Sequence, residues 1–221
     1  MPPFDSLEFL FDHEPRPAPV NMAMDEILLE EVSVPTLRVY RWNLPAASFG
    51  YFEKYSAVAA GHPGRELVRR WTGGGVVLHG EDFTYSILVP QDCPFMRMDV
   101  AESYRAIHER VAEAMQESGL PALIAKTAAP KVSQACFENP VRYDVLVDNH
   151  KIAGAAQRRT RFGLLHQGSI QSAQLSGDFG ERLASKLADR VIQRAVREGE
   201  PEAAAVLAGI KYGTDAWLRR F

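Results

Sequence analysis

Three consecutive glycines, Gly73-Gly74-Gly75, lie between Arg69-Arg70-Trp71-Thr72 and the β-branched run Val76-Val77-Leu78-His79. Glycine loses more conformational freedom on folding than any other residue. Three together inside strand-like sequence therefore imply backbone that comes very close to something. Arg69 and Arg70 imply that this something is anionic or strongly polar. A tight turn between strands, with a solvated Arg pair, is the plainer alternative on the pattern alone. The run is not a P-loop, because no Lys-Ser or Lys-Thr follows the glycines. Nor is it a dinucleotide fingerprint, because Val76-Val77-Leu78 favours strand where that motif opens a helix. Its amides would line a groove along a sheet, within reach of a carboxylate, carbonyl or phosphate.

Composition narrows the setting. The chain has 221 residues, enough for one large domain or two small ones, and a substantial core. Hydrophobic residues make up 46% and charged residues 24%, the balance of a soluble globular protein. A net charge of −3 gives no global basic face, so nucleic-acid binding would need a local patch, and none is prominent. The opening Met1-Pro2-Pro3-Phe4-Asp5-Ser6 lacks a secretory pattern, and no apolar run approaches a membrane span. Cys93 and Cys136 form no CxxC, and the histidines show no HExxH spacing, which disfavours a structural zinc or a disulfide framework. A cytoplasmic enzyme or binding domain is the expectation.

Periodicity predicts the elements. Phe4 to Phe11 reads as a first strand, followed by a linker carrying Pro15, Pro17 and Pro19. Asn21 reads as a helix N-cap, with Met24, Ile27 and Leu28 on one face and Asp25 and Glu26 elsewhere. Thr36 to Trp42 alternates as a half-buried strand, and Leu44 to Tyr55 as an aromatic loop. Leu67 to Arg70, Val76 to His79 and Phe83 to Val89 follow as strands, the last two joined by a hairpin at Gly80-Glu81-Asp82. Pro94 to Met98 reads as a surface loop. Asp99 and Glu102 have capping-box spacing before the stripe Tyr104, Ile107, Val111, Ala114 and Met115, which Gly119 and Pro121 terminate. Arg142 to Val147 and His150 to Gln157 read as strands joined at Asp148-Asn149, and Leu164 to Gln171 as a third. Leu183, Leu187 and Val191 mark a helix with Arg190, Arg194 and Arg197 towards its end, and Thr214 to Phe221 a last one. Strands in runs with helices at intervals imply one α+β domain.

Further residues can carry chemistry. Lys151 opens a strand and precedes the small run Ile152-Ala153-Gly154-Ala155-Ala156, which leaves room beside it. A lysine there can hold a carbonyl oxygen or lower a neighbouring thiol's pKa. An exposed lysine after a turn is the ordinary alternative. Cys136, Cys93, His166 and His79 are each more often structural than reactive when taken singly.

Taken as an ordered set, these stretches resemble the biotin/lipoate A/B protein ligase family, the fold of lipoate-protein ligases and octanoyltransferases. The matching residues begin with Asn21-Met22-Ala23-Met24-Asp25-Glu26, Arg38-Val39-Tyr40-Arg41-Trp42 and Gly50-Tyr51-Phe52. They continue with Arg69 to His79, Thr84-Tyr85-Ser86, Lys151 to Gln157 and His166-Gln167-Gly168-Ser169. The resemblance implies a mixed β-sheet flanked by helices, a catalytic domain like that of class II aminoacyl-tRNA synthetases and biotin synthetases, over residues 1–221. It also implies a tunnel for a medium-length acyl chain. The Arg pair and the glycines would cradle the chain's carboxyl end, and Lys151 would polarise its carbonyl. The substrate-binding set it implies is Arg70, Gly73, Gly74, Gly75, Val76, Val77, His79, Gly154, Ala155, Gln157, His166 and Gly168, with no metal ligand. The acceptor would be one lysine of a lipoyl carrier domain, on a glycine cleavage H protein or a 2-oxoacid dehydrogenase E2. Acyl carrier protein is a possible donor, and neither nucleic acid nor membrane is a partner.

The family divides between two chemistries. Cys136-Phe137, with Pro140 and Tyr143 downstream and fifteen positions before Lys151, resembles the cysteine-containing branch. There the acyl group passes from a carrier thioester through a cysteine acyl-enzyme, and no cofactor is needed. The alternative is ATP- and Mg-dependent lipoate ligation through an adenylate. A non-catalytic acyl-binding relative is a third reading. Biotin ligation is disfavoured, because that branch's Gly-Arg-Gly-Arg type of loop is absent.

Overall fold

The computed structural model describes residues 1–127, 140–171 and 173–221, so Cys136 lies outside the described residues. The chain opens with strand β1 (Phe4–Arg16), helix α1 (Ala18–Glu31) and strands β2 (Thr36–Trp42) and β3 (Ala46–Phe49). Helix α2 (Tyr55–Gly61) leads into β4 (Glu66–Arg69), β5 (Val76–His79) and β6 (Phe83–Pro90). Then come α3 (Val100–Glu117), β7 (Ala122–Ile124), β8 (Val145–Val147), β9 (His150–Arg159) and β10 (Gly163–Ile170). The last elements are α4 (Phe179–Leu187), β11 (Ala188–Arg194), α5 (Glu200–Leu207), a π-helical turn (Ala208–Tyr212) and α6 (Asp215–Leu218).

The strands form two sheets. The larger runs β11-β1-β2-β6-β10-β9-β8-β7, with β1 parallel to both neighbours and the remaining pairs antiparallel. The smaller runs β4-β3-β5. One face of the large sheet buries Val39, Tyr85 and Ile87 against Ile107, Val111 and Met115 of α3 and Leu183 and Leu187 of α4. The other buries Leu10, Tyr40 and Leu88 against Met22, Leu28 and Leu29 of α1 and Val68 of the small sheet. With helices or a second sheet on both faces, the middle strands cannot alternate between core and water. Thr36 to Tyr40 are accordingly all buried, which corrects the half-exposed reading of β2.

Several other expectations change for physical reasons. The proline segment is no linker. β1 runs through Pro15 to Arg16, and its register against β2 shifts between Asp12 and Arg16, where a proline costs no ladder bond. Helix α1 starts at once, with Pro17 as its cap and a proline in its first turn, where the missing amide is harmless. Asn21 is therefore inside the helix, and it is buried. Its amide donates to the Arg41 carbonyl at 3.0 Å rather than capping. Asp25 and Glu26 are buried too.

The aromatic loop contains β3, and a 3₁₀ turn at Pro94–Arg97 buries Phe95 in place of a surface loop. Gly80 to Asp82 makes no hairpin, because β5 pairs with β3 while β6 belongs to the large sheet. Residues 142–144 precede β8 as a turn rather than extending it. The helix read through Val191 stops at Leu187, and Arg190 and Arg194 lie on β11, pairing parallel with β1. The last helix is shorter than expected, and α5 had no counterpart in the periodicity.

Other expectations hold. Asp99 and Glu102 form both bonds of the capping box, at 2.7 and 3.1 Å. Asp148 and Asn149, at φ 50° and 65°, make a two-residue turn with left-handed backbone, the geometry whose twist suits a hairpin.

Candidate active site

The site lies where the small sheet faces the large one. Ser48, Val77 and His79 share a face of the small sheet, because Ser48 pairs with Val77 and Ala46 with His79. Opposite them, the pairs Tyr40–Thr84, Thr84–Ser169 and Ser169–Gly154 set four residues side by side on the large sheet. With Met22, Trp42, Arg70 and the small residues Gly154 to Ala156, they line a narrow, largely apolar pocket that is open on one side. Its floor is low because Gly154, Ala155, Ala156 and Gly168 project little or nothing into it.

The glycine loop is fixed by its own arginine. Arg70 is buried and donates to Ser48 Oγ at 2.8 Å and to the carbonyls of Gly73 and Gly75 at 2.9 and 2.8 Å. Gly74 adopts φ 86°, the left-handed region that favours glycine. The close approach expected at the glycines is to the chain itself. A Cβ on Gly50 would sit 1.8 Å from the Gly74 carbonyl oxygen.

Arg69 points elsewhere. It donates to the carbonyls of Trp217, Leu218, Tyr51 and Glu53, tying α6 to the Gly50 turn, so the two arginines do not act as one cradle. Burial holds its pKa below the ordinary arginine value. Val76 pairs with Phe49 on the face of β5 away from the cavity.

On the cavity wall His79 Nε2 lies 2.6 Å from Ser48 Oγ, and its Nδ1 lies 2.8 Å from Asp82 Oδ2. Trp42 stacks on the imidazole at 4.1 Å between ring centres and donates to Thr84 Oγ1 at 2.8 Å. Asp82 also accepts from Gly80 N, Thr84 and Ser169. Burial alone would raise its pKa. The His79 pairing and the hydroxyl donors outweigh burial and hold the carboxyl below its ordinary value.

Lys151 sits at the edge of β9. It is buried rather than exposed, with Nζ 2.9 Å from Asp144 Oδ2. Asp144 also accepts from Tyr104 Oη at 2.5 Å and from Val141 N at 2.7 Å. The β8 ladder ends at Val145–Ala153, and beyond it Ala155 N donates to Tyr104 Oη at 3.1 Å. Burial, then the charge of Asp144, pushes the Tyr104 phenol well above its ordinary value. A Cβ on Gly154 would lie 2.7 Å from Lys151 Nζ. Gly154 thus leaves the space that the end of the lysine side chain occupies, and Gly154 itself lines the cavity.

Of the residues expected to bind substrate, Arg70, Val77, His79, Gly154, Ala155 and Gly168 line the cavity. Gly73 and Gly75 are the loop carbonyls that Arg70 holds. His166 and Gln157 are cross-strand partners and occupy the other face of the sheet, under α3. There Gln157 Nε2 donates to His166 Nδ1 at 3.0 Å, and Ser103 Oγ donates to Gln157 Oε1 at 3.1 Å. Burial, with His108 nearby, holds His166 well below its ordinary pKa. Sequence reading did not single out Ser48, Asp82, Asp144 or Tyr104. Asp82 and Asp144 stood inside stretches already of interest, whereas nothing local marked Ser48. Among the described residues, no cluster of three or more His, Cys, Asp or Glu could hold a metal.

A mixed sheet flanked by helices, with a second small sheet over an apolar cavity and a buried lysine beside one of its glycines, is the lipoate-protein ligase fold of the class II synthetase-like architecture. Protein Ta0514 of T. acidophilum, solved with bound lipoic acid, superposes with a TM-score of 0.78 at 21% identity, covering 98% of this chain and 99% of that one. A bi-partite lipoate protein ligase from Thermoplasma acidophilum, described with its E2 lipoyl domain, gives 0.73 at 20% identity, covering 97% and 96%. The lipoyl protein ligase A/B catalytic domain matches residues 17–198, and the chain belongs to that family. Octanoyltransferase LipM of Geobacillus kaustophilus (strain HTA426) is 37% identical over 210 residues, 86% of this chain and 74% of that protein.

Proposed function

We propose that this chain transfers an octanoyl group, or a lipoyl group of the same length class, from a carrier thioester to one lysine of a lipoyl domain. In this reading Cys136 bears the acyl group and Lys151 polarises its carbonyl. The similarity to LipM octanoyltransferases supports the reaction. The observation that carries it is Lys151, held by Asp144 against Gly154, which lines an apolar cavity. The cavity suits an alkyl chain, and the buried cation suits the oxygen on which charge develops.

Transfer to Cys136 exchanges one thioester for another, so the step is close to balanced and needs no ATP. Attack by the acceptor lysine's amine then forms an amide, which is downhill. The whole chain acts as one catalytic unit in this reading, on carrier proteins of the cytoplasm, such as an acyl carrier protein as donor. A glycine cleavage H protein or an E2 lipoyl domain would be the acceptor.

The test is octanoyl transfer from octanoyl-carrier protein to a lipoyl domain, without ATP, by the chain and by Cys136→Ala. Loss of transfer in the variant is expected. Undiminished transfer would remove Cys136 from the mechanism, and lipoate-dependent release of pyrophosphate from ATP would mark the chain as a ligase.

A further inference from the structure

Ser48, His79 and Asp82 form a hydroxyl–imidazole–carboxylate series in hydrogen-bond contact. Arg70 can only donate, so Ser48 Oγ accepts from it at 2.8 Å. In the neutral imidazole whose Nδ1 proton faces Asp82, His79 Nε2 is a bare acceptor 2.6 Å from Ser48 Oγ. Nδ1 then donates to Asp82 at 2.8 Å. In that tautomer the protons run from serine to histidine to aspartate, the resting arrangement of a base-activated nucleophile.

The surroundings fit that work. Trp42 stacks on the imidazole and fixes its plane. Gly80 N, Thr84 and Ser169 anchor the carboxylate, so it can orient the ring without moving. Ser48 and His79 both line the cavity. Arg70 donates to Ser48 Oγ and holds the hydroxyl in place beside His79. The roles given to Cys136 and Lys151 make no use of Ser48 or Asp82.

We propose that Ser48, activated by His79 and oriented through Asp82, is a second nucleophile of this pocket and hydrolyses acyl thioesters and esters bound there. The choice of acyl substrate rests on the acyl-transfer reading above; the triad geometry does not. In the first step a bond forms between Ser48 Oγ and the acyl carbon while the carbon–sulfur bond breaks. The serine proton passes to His79 and then to the departing thiolate. In the second, water gives its proton to His79 and its oxygen to the acyl carbon. The ester bond breaks and Ser48 takes the proton back. The balance is thioester plus water to carboxylic acid plus thiol.

The experiment uses the full chain carrying Cys136→Ala, with p-nitrophenyl octanoate and octanoyl-N-acetylcysteamine as substrates. An alkyl fluorophosphonate serves as label, located by peptide mass. Hydrolysis above buffer and a label on Ser48 are expected. Asp82→Asn should slow hydrolysis by up to about ten-thousand-fold, and Ser48→Ala should abolish hydrolysis and label together. Hydrolysis no faster than buffer with Ser48 unlabelled overturns the proposal, as does hydrolysis unchanged in a Ser48→Ala variant that melts normally. The labelling needs no variant at Ser48, so misfolding cannot mask it. Octanoyl transfer by the chain with Cys136 intact, alongside an unlabelled Ser48, would defeat this proposal and leave the transfer reading standing. Labelled Ser48 without any transfer would do the reverse.

Discussion

Two of the buried ion clusters on the large sheet are built for different ends. At its centre, Arg38 donates to Asp25 at 2.7 Å, to Asp12 at 2.8 Å and to Asn21, while Arg16 adds a second cation to Asp12. Two arginines thus meet two aspartates, and the second oxygen of Asp25 accepts from Ser86 and Gln167. Towards the β7 edge, at the start of β9, Lys151 meets Asp144 beside a glycine that lines the cavity. The central cluster is enclosed by β1, β2, β6, β10 and α1. The edge cluster is held by a phenol, one backbone amide and a turn in which Tyr143 takes φ 74°. Burial of charge is common to both. The second cluster lies beside Gly154, which lines the cavity.

Removing a partner should separate them. Arg38→Met leaves Asp12 and Asp25 buried without their main counter-charge, and about 3–5 kcal/mol of stability should be lost in urea unfolding. A loss below about 1 kcal/mol would show that the central cluster is not the structural hub described here.

His108 gives the edge region a pH signature. Burial, first of all, lowers its pKa to about 4, although Asp144 and the Tyr143 carbonyl, 2.8 Å from Nδ1, oppose that shift. The unfolded chain takes up this proton near pH 6.5, and the folded one only near pH 4. The stability owed to neutral His108 is therefore complete above pH 6.5 and lost as pH falls towards 4, about 3 kcal/mol over that window. Replacing His108 with Gln should flatten this part of the pH–stability curve. An unchanged slope would contradict the assignment.

Asp144→Asn should act mainly on function. It keeps the shape but removes the charge beside Lys151, and transfer should fall by about 10- to 100-fold, with a smaller stability cost than Arg38→Met. The opposite ranking would erase the distinction between the two clusters.

The parts of the structure legible in the sequence are those whose cause is local. The capping box of α3 needs only Asp99 and Glu102, and the β8–β9 hairpin needs only Asp148 and Asn149 to accept left-handed backbone. Lys151 and the glycine loop stood out because small residues beside a charge leave space. What the sequence could not display is what covers each face. Arg38, Asp25 and Asn21 look solvent-facing on a strand or helix considered alone, and they become core only once α1 lies on the sheet. Leu183, Leu187 and Val191 keep helical spacing although the chain turns to strand at Ala188, because β1 offers an edge that outweighs local propensity. Ser48 joins the site only through β5 pairing with β3.

The most direct measurement of the central claim is the mass of the chain after mixing with octanoyl-carrier protein, with neither ATP nor acceptor present. One octanoyl group should be gained and should map to Cys136, then be discharged on adding a lipoyl domain. A chain that gains no acyl group, yet modifies the lipoyl domain when given free acid and ATP, would contradict it.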